Sequence, residues 1–128
     1  MIESTHPNLT ILMKLDLQDL DACTDILADD FIWHYFNPKL PDLEGDYRGI
    51  EGLKGFFAKL SEMSLGRFQV NPIDLRAVGD ELLVTQVCNR LTLGDDAIEF
   101  DAVVVWRVVD GKLAEAWDIP SVYKVRTV

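Results

Sequence analysis

An arginine and an aspartate on two predicted strands of one sheet are the strongest candidates for chemistry in this sequence. Arg90 lies in a strand expected over residues 81–93, and Asp118 lies in the last strand, expected over residues 112–119. Alternation of side chains along each strand predicts that both point into one cavity. Asp118 could then act as a general base or orient a water molecule, while Arg90 holds a carbonyl or hydroxyl oxygen of a ligand.

The same pair has a second interpretation, in which it braces the protein or only binds a ligand. A buried guanidinium needs a partner, and Asp118 is the nearest candidate for Arg90. Such pairing would lower the pKa of Asp118, whereas a base that works near neutral pH needs a raised pKa. The sequence leaves both interpretations open.

His34 is a further candidate catalytic residue, because an imidazole titrates near neutral pH. It alternates with Trp33 along a strand expected over residues 31–36, so we expect it to face away from the cavity. A shift of the strand register by one residue would reverse this orientation. The predicted ligand-binding wall is mainly aromatic and apolar, with a few polar groups. Its members are Trp33, Tyr35, Gln86, Cys88, Val104, Trp106 and Ala116.

Motifs for metal, cofactor or nucleophile chemistry are missing from the sequence. Asp21, Asp25 and Asp29 fall four residues apart, but no histidine accompanies them, so a solvated acidic face is expected. Cys23 and Cys88 lack the spacing of zinc or redox sites and are expected to be reduced thiols. No segment matches a phosphate-binding glycine loop or a serine or cysteine nucleophile motif. We therefore predict no metal and no cofactor.

The charge of the chain argues against nucleic acid and membrane partners. Twelve Lys and Arg against 22 Asp and Glu give a formal charge of −10, which repels phosphate backbones and anionic lipids. No stretch approaches the roughly 18 apolar residues that span a bilayer, and the N-terminus lacks the layout of a signal peptide. We expect a cytoplasmic protein with a single domain over residues 1–128, because a chain of this length builds one core.

Sequence periodicity separates a helical first part from a second part made of strands. A first helix is expected to start at Pro7 with Thr5 as its cap, and a second short helix is expected after Asp19. A third helix carries one apolar stripe over residues 50–63. This order is typical of an α+β fold, and short turns predict that the last three strands pair as an antiparallel meander. Strands are expected at residues 31–36, around Tyr47, and at residues 67–77, 81–93, 97–109 and 112–119.

Both faces of the predicted sheet carry apolar residues, which a sheet covered on only one side would not show. We predict that the sheet curls around a cavity on its concave side. Its convex side would pack against a second copy of the chain, because exposing so much apolar surface would be costly. In the alternative, the convex face is only partly apolar and lies in water. The predicted homodimer face consists of Leu91, Val103, Val105 and Trp117.

Five segments keep an order and spacing that are fairly specific for one fold. They are residues 19–21, 27–34, 45–49, 56–57 and 105–118. With these segments the chain resembles the nuclear transport factor 2-like superfamily, and within it the SnoaL-like polyketide cyclase and ketosteroid isomerase group. The resemblance implies a cone-shaped, mixed or antiparallel sheet packed with three helices from the N-terminal half around an internal pocket. It also implies dimers formed through the sheet.

The functional positions of related enzymes are retained only in part. The limonene epoxide hydrolase pattern fits best, since its strand arginine falls on Arg90 and its last-strand aspartate falls on Asp118. Its second aspartate, two residues after the arginine, is replaced by Thr92. The three functional positions of a ketosteroid isomerase are occupied instead by Tyr35, Ile11 and Val104.

The resemblance implies a small-molecule pocket protein, and three functions stay open on the sequence. The first is a cofactor-free isomerase, cyclase or hydrolase that acts on a hydrophobic or polyketide-like ligand by acid–base chemistry. The second is a noncatalytic ligand-binding module, and the third is an accessory domain whose sheet face recruits another protein. A pocket that holds Asp118 with a raised pKa favours the first, whereas Asp118 locked to Arg90 favours the second.

Overall fold

The computed structural model describes residues 6–128. Helix α1 (Pro7–Leu12) begins where His6 accepts a hydrogen bond from the backbone N–H of Asn8 through its ring Nδ1, at 3.1 Å. Thr5, the expected cap, lies outside the described residues. The expected second helix is a single 3₁₀ turn (Leu20–Cys23), and the third is α2 (Gly49–Met63).

Within residues 6–128, seven strands form one curved, mixed sheet that does not close into a barrel. They are β1 (Leu27–Tyr35), β2 (Gly45–Arg48), β3 (Phe68–Val78), β4 (Leu82–Leu93), β5 (Asp96–Val109), β6 (Lys112–Pro120) and β7 (Arg126–Thr127). The order across the sheet is β2-β1-β6-β5-β4-β3, and β7 pairs with β5. β1 and β6 are parallel, whereas the other neighbours are antiparallel. The predicted α+β class and curved mixed sheet are confirmed.

The helices cover the inner face of the sheet and enclose the hydrophobic core against it. α2 packs on β1 and β2, and α1 contacts β3 and β6. Phe56 and Phe57 of α2 lie against Trp33 of β1, with ring centroids 5.6 and 6.0 Å apart. Burial of these aromatic rings supplies much of the free energy that holds the helix on the sheet.

β1 begins four residues earlier than expected. Asp29 and Asp30, which precede the expected strand of residues 31–36, are exposed and lie within β1. The pairing of β1 with β6 is irregular between Leu27 and Ile32. Because both carboxylates stay in water at this irregular point, the strand can continue through them.

Candidate active site

A cavity of about 370 Å³ lies between the inner face of the sheet and the two helices. Both helices and strands β1, β3, β4, β5 and β6 contribute to its wall. Apolar and aromatic side chains dominate the wall, and Asp118 is the only carboxylate that the described residues place in it. The aromatic members are Trp33, Tyr35, Phe56, Phe57, Phe68, Phe100 and Trp106.

Asp118 is a carboxyl group held in this apolar wall. It is 9% exposed, and its Cα is in register with Tyr35 on β1 and Val104 on β5. Ala116 and Pro120, on the same side of β6, are also buried, so alternation along the strand turns the carboxyl inward. Within residues 6–128 no hydrogen bond or cation meets this carboxyl. Burial therefore raises the pKa of Asp118 to about 7.

Tyr35 stands beside Asp118 with its hydroxyl held by an asparagine. Asn37 donates a hydrogen bond from Nδ2 to the Tyr35 hydroxyl oxygen at 3.0 Å, and both side chains are buried. The amide of Asn37 is fixed in turn, because its Oδ1 accepts a hydrogen bond from the backbone N–H of Lys39 at 3.0 Å. Burial raises the pKa of Tyr35 to about 12, and the nearby Asp118 acts in the same direction. Tyr35 is therefore a neutral hydrogen-bond donor at physiological pH.

Arg90 does not pair with Asp118, which was one of the two interpretations that the sequence left open. Arg90 borders the cavity, but its side chain is exposed and its Nε donates to Glu99 Oε2 at 3.1 Å. Arg90 and Glu99 are direct cross-strand partners on β4 and β5, on the outer face of the sheet. Asp118 is thus left without the cation that would have held its pKa down.

The orientation predicted for β4 is inverted. Gln86 is exposed on the outer face, and Cys88 lies there as well, where its Sγ accepts a hydrogen bond from Arg126. Leu91, expected in the dimer face, is 4% exposed and lines the cavity. The residues of β4 that line the cavity are Thr85, Val87, Asn89 and Leu91, together with the bordering Arg90.

The other predicted wall residues face the interior. Trp33, Tyr35, Val104 and Trp106 all line the cavity. Ala116 is fully buried in register between Trp33 and Trp106, but it belongs to the packed core and not to the lining residues.

His34 lies on the outer face, away from the cavity. Its Nδ1 and Nε2 are each 2.6 Å from a carboxylate, of Asp46 and Glu115 respectively, and its ring stacks on Trp117 at 5.5 Å. Burial alone would lower the pKa of His34, but the two carboxylates outweigh it and raise the pKa above the ordinary value. These contacts give His34 a structural role in holding β2, β1 and β6 together.

Three polar residues of the interior were missed by the sequence interpretation. Thr85 accepts a hydrogen bond from the indole Nε1 of Trp106 at 3.0 Å, Asn89 lines the cavity, and Asn37 holds Tyr35. Thr85 and Asn89 alternate along β4 with Gln86, Cys88 and Arg90. Because those three were predicted to face the cavity, Thr85 and Asn89 were assigned to the outer face. The sequence signal that would have found them is the alternation of Leu83, Val87 and Leu91 in that same set.

A model of the SnoaL-like domain family matches residues 14–116. The chain belongs to the SnoaL-like family. The match begins just after α1 and ends within β6, and it confirms the resemblance that the five sequence segments indicated. A comparison with curated proteins gave no match.

Solved structures show the same fold at low sequence identity. TerC, co-crystallized with polyporic acid, aligns with a TM-score of 0.74 and 19% identity over 90% of this chain and 92% of its own. A nuclear transport factor 2-like protein of unknown function from Burkholderia pseudomallei gives 0.74 and 19% over 88% of each chain. A protein from Jannaschia sp. assigned to the SnoaL-like polyketide cyclases gives 0.73 and 15% over 93% and 90%. These similarities establish the fold alone.

Two further findings concern membranes and metals. Among residues 6–128, no helix combines the length and apolar character needed to cross a bilayer. In the same part of the chain, no three His, Cys, Asp or Glu side chains are grouped closely enough to hold a metal ion.

Proposed function

We propose that this SnoaL-like protein is an enzyme in which Asp118 transfers protons to and from a hydrophobic, polyketide-like ligand bound in the cavity. The observation that carries the proposal is a carboxyl buried in an apolar wall with no partner among the described residues. A carboxyl in such surroundings keeps both protonation states accessible near neutral pH, which general acid–base catalysis requires.

The reaction class that fits is proton abstraction from a carbon next to a carbonyl group. The carboxylate of Asp118 would take the proton, the C–H electron pair would form the enolate double bond, and the carbonyl oxygen would become negative. The neutral Tyr35 hydroxyl lies in register beside Asp118 and can donate a hydrogen bond to that oxygen. Return of the proton from Asp118 to another carbon of the conjugated enolate would give an isomerisation. Attack of the enolate carbon on a second carbonyl of the ligand would restore the first carbonyl and form an alkoxide, and transfer of the Asp118 proton to that alkoxide would complete a cyclisation.

The ion pairing of Arg90 argues against the alternative of a noncatalytic ligand-binding module. A binding module was expected to lock Asp118 to Arg90, whereas Arg90 pairs with Glu99 on the outer face. Leaving an ionisable group buried without a partner costs free energy of folding, and a passive apolar pocket would gain by replacing it.

The fold comparison supports the proposed ligand class. TerC, which shares the fold, was co-crystallized with polyporic acid, and this supports an organic ligand for the protein described here. In the chain described here, the aromatic wall of the cavity is complementary to flat, apolar molecules.

Hydrogen–deuterium exchange of a simple ketone tests this function. We expect the protein to accelerate exchange of the methyl protons of 4-acetylbiphenyl in D₂O, followed by proton NMR. Asp118→Asn keeps the size of the side chain and removes the base, so it should slow the catalysed exchange roughly 100-fold or more. Asp95→Asn, a change at an exposed turn carboxylate, serves as the matched control and should exchange like the wild type. Equal rates for the Asp118 variant and the wild type would exclude Asp118 as the base.

We also propose that the protein forms a homodimer through the outer face of β5 and β6. Val103 pairs with Ile119 and Val105 pairs with Trp117 across these strands, so the four apolar side chains form one patch. Val103 is 38% exposed and Ile119 is 50% exposed. Covering such a patch with a second copy of itself removes apolar surface from water.

A further inference from the structure

The cavity has a closed end, formed by the indole rings of Trp33 and Trp106. Both residues line the cavity, and the centroids of their rings are 5.5 Å apart. In the strand register both lie beside Ala116, which is fully buried. Further along the strands in this direction, Val108 and Leu113 are buried in the hydrophobic core and do not line the cavity. The cavity therefore stops at the two indoles.

The cavity opens in the opposite direction along the strands. Beyond the indoles, β4 contributes every second side chain to the wall, and these are Thr85, Val87, Asn89 and Leu91. The exposed strand residues of the wall all lie toward this end, and they are Gln69, Pro72 and Arg90. A ligand that enters from solvent therefore passes these residues first and reaches the indoles last.

Asp118 lies next to the closed end of the cavity. It is in register with Val104, and Val104 is in register with Thr85. Trp106 is two residues from Val104 on β5, whereas Leu91 is six residues from Thr85 on β4. At roughly 3.3 Å per residue, these separations are about 7 Å toward the indoles and about 20 Å toward the opening. Most of the cavity therefore lies between Asp118 and the opening.

Both indoles at the closed end are held in place. Trp106 donates a hydrogen bond from Nε1 to Thr85 Oγ1 at 3.0 Å, so its ring reaches toward the strand positions beside Asp118. Trp33 contacts Phe56 at 5.6 Å between ring centroids. Carbon atoms that are not bonded stay about 3.5–4 Å apart, so the roughly 7 Å between Asp118 and the indoles leaves room for about one or two carbons.

We propose that Trp33 and Trp106 determine which substrates react, because they limit the substituent that fits beyond the reacting carbon to about one or two carbons. The substrate enters with its reacting group first, and its longer part extends toward the opening. This inference rests on the acid–base function proposed above. It adds where along the substrate the reacting carbon must lie, namely at or near one end.

Hydrogen–deuterium exchange of two isomeric ketones tests this limit. 4-Pentanoylbiphenyl carries a propyl group on its reacting carbon, whereas 4-acetyl-4′-propylbiphenyl carries the same group at the far end of the second ring. Each exchange rate is divided by the rate in buffer alone, which removes the difference in intrinsic acidity. For the wild type we expect the acetyl isomer to exceed the pentanoyl isomer roughly tenfold or more, because a well-packed wall rejects additional methylenes.

Two variants test whether the indoles set the limit. Trp106→Leu enlarges the closed end and should reduce the rate ratio of the two isomers roughly fivefold or more. Phe100→Leu, the matched control, removes a ring from the wall beside Asn89, toward the opening, and should leave the ratio at the wild-type value. The ratio is compared because either change in the wall also alters the rates themselves. If Trp106→Leu does not fold, Trp106→Phe takes its place, with a smaller reduction of the ratio.

Nuclear Overhauser contacts in the complex test the orientation of the ligand independently of catalysis. With 4-acetyl-4′-propylbiphenyl we expect contacts from the acetyl methyl to the indole protons of Trp106, identified by their absence in Trp106→Leu. The propyl methyl should contact Leu91 instead. Contacts of the propyl methyl with the indole would mean that the reacting group does not enter first, and they would overturn the inference.

The outcomes distinguish this inference from the proposed function. Equal normalised rates for the two isomers, with exchange still dependent on Asp118, would overturn the size limit alone. Equal reductions of the ratio in Trp106→Leu and Phe100→Leu would overturn the assignment to the indoles. Absence of exchange for both isomers, with the acetyl methyl still in contact with Trp106, would overturn the proposed function and support the closed end. Absence of both exchange and contacts would overturn both proposals.

Discussion

The protonation state of the Asp118 carboxyl changes the stability of the fold. Its folded pKa of about 7 lies above the ordinary value of 3.8, so the native state binds the proton more tightly than the unfolded chain does. Stability is then greatest when Asp118 is protonated, and it falls as the pH rises from about 4 to about 7. The cost of ionisation is roughly 4 kcal/mol, from three pH units at about 1.4 kcal/mol each.

His34 adds to this pH dependence from the other face of the sheet. Its pKa is raised, so the protonated imidazole stabilises the native state between Asp46 and Glu115. That stabilisation is complete below the ordinary histidine pKa of 6.5 and is lost as the pH rises through the raised folded value. Both groups therefore make the protein less stable when the pH passes from acidic to alkaline, although only Asp118 faces the cavity.

At the scale of elements, the contact between α2 and β2 depends on a glycine. A Cβ added at Gly52 would lie 2.8 Å from the carbonyl carbon of Tyr47, whereas a Cβ at Gly55 in the same helix meets nothing within 4 Å. Gly52→Ala should therefore lower the free energy of unfolding by about 1–3 kcal/mol, because helix and strand must move apart. Urea unfolding measures this change.

Gly55→Ala is the matched control for that substitution. Alanine is the better helix former and finds open space at this position, so it should raise the free energy of unfolding by about 0.5–1 kcal/mol. Equal effects of the two substitutions would show that the helix does not approach Tyr47 as closely as the structure has it.

The elements of this fold could largely be predicted from the sequence. The turns at residues 79–81, 94–95 and 110–111 separate strands whose observed bounds differ from the expected ones by at most one residue. These strands alternate over many residues and are bounded by glycines, which makes their period easy to detect. The second helix was predicted with less success, because the few apolar residues between Leu20 and Leu27 fit a helical period but are too few to distinguish a full helix from a 3₁₀ turn followed by a strand.

Side-chain orientation on β4 was the part of the site that local pattern could not determine. Each alternate set of β4 mixes apolar and polar residues, Val84 with Arg90 in one and Leu83 with Asn89 in the other. The pairing with β5 settles the orientation, since Leu83 lies opposite the buried Trp106 and Gln86 lies opposite the exposed Val103. The inward orientation of Asp118 followed from β6 alone, where small residues alternate with large ones.

At the scale of the whole molecule, one sheet separates a cavity from an apolar outer patch. The dimer proposal concerns that patch of Val103, Val105, Trp117 and Ile119. Val103→Glu places a charge in it and should shift the protein from dimer to monomer in analytical ultracentrifugation, because a buried unpaired carboxylate is costly.

A matched variant tests whether the effect belongs to the patch. Val78→Glu introduces the same charge at an exposed valine, 48% accessible, at the end of the edge strand β3. It should leave the dimer intact. A wild-type protein that sediments as a monomer at all concentrations would contradict the dimer, without affecting the cavity.

The central claim is that the fold holds Asp118 as a buried, unpaired carboxyl on the cavity wall. A carbon-13 NMR titration of aspartate-labelled protein tests it most directly, with the Asp118 carboxyl signal assigned by its absence in Asp118→Asn. We expect its midpoint near pH 7. A midpoint near 4, the ordinary value for aspartate, would contradict the burial of the carboxyl and remove the basis for acid–base catalysis in this cavity.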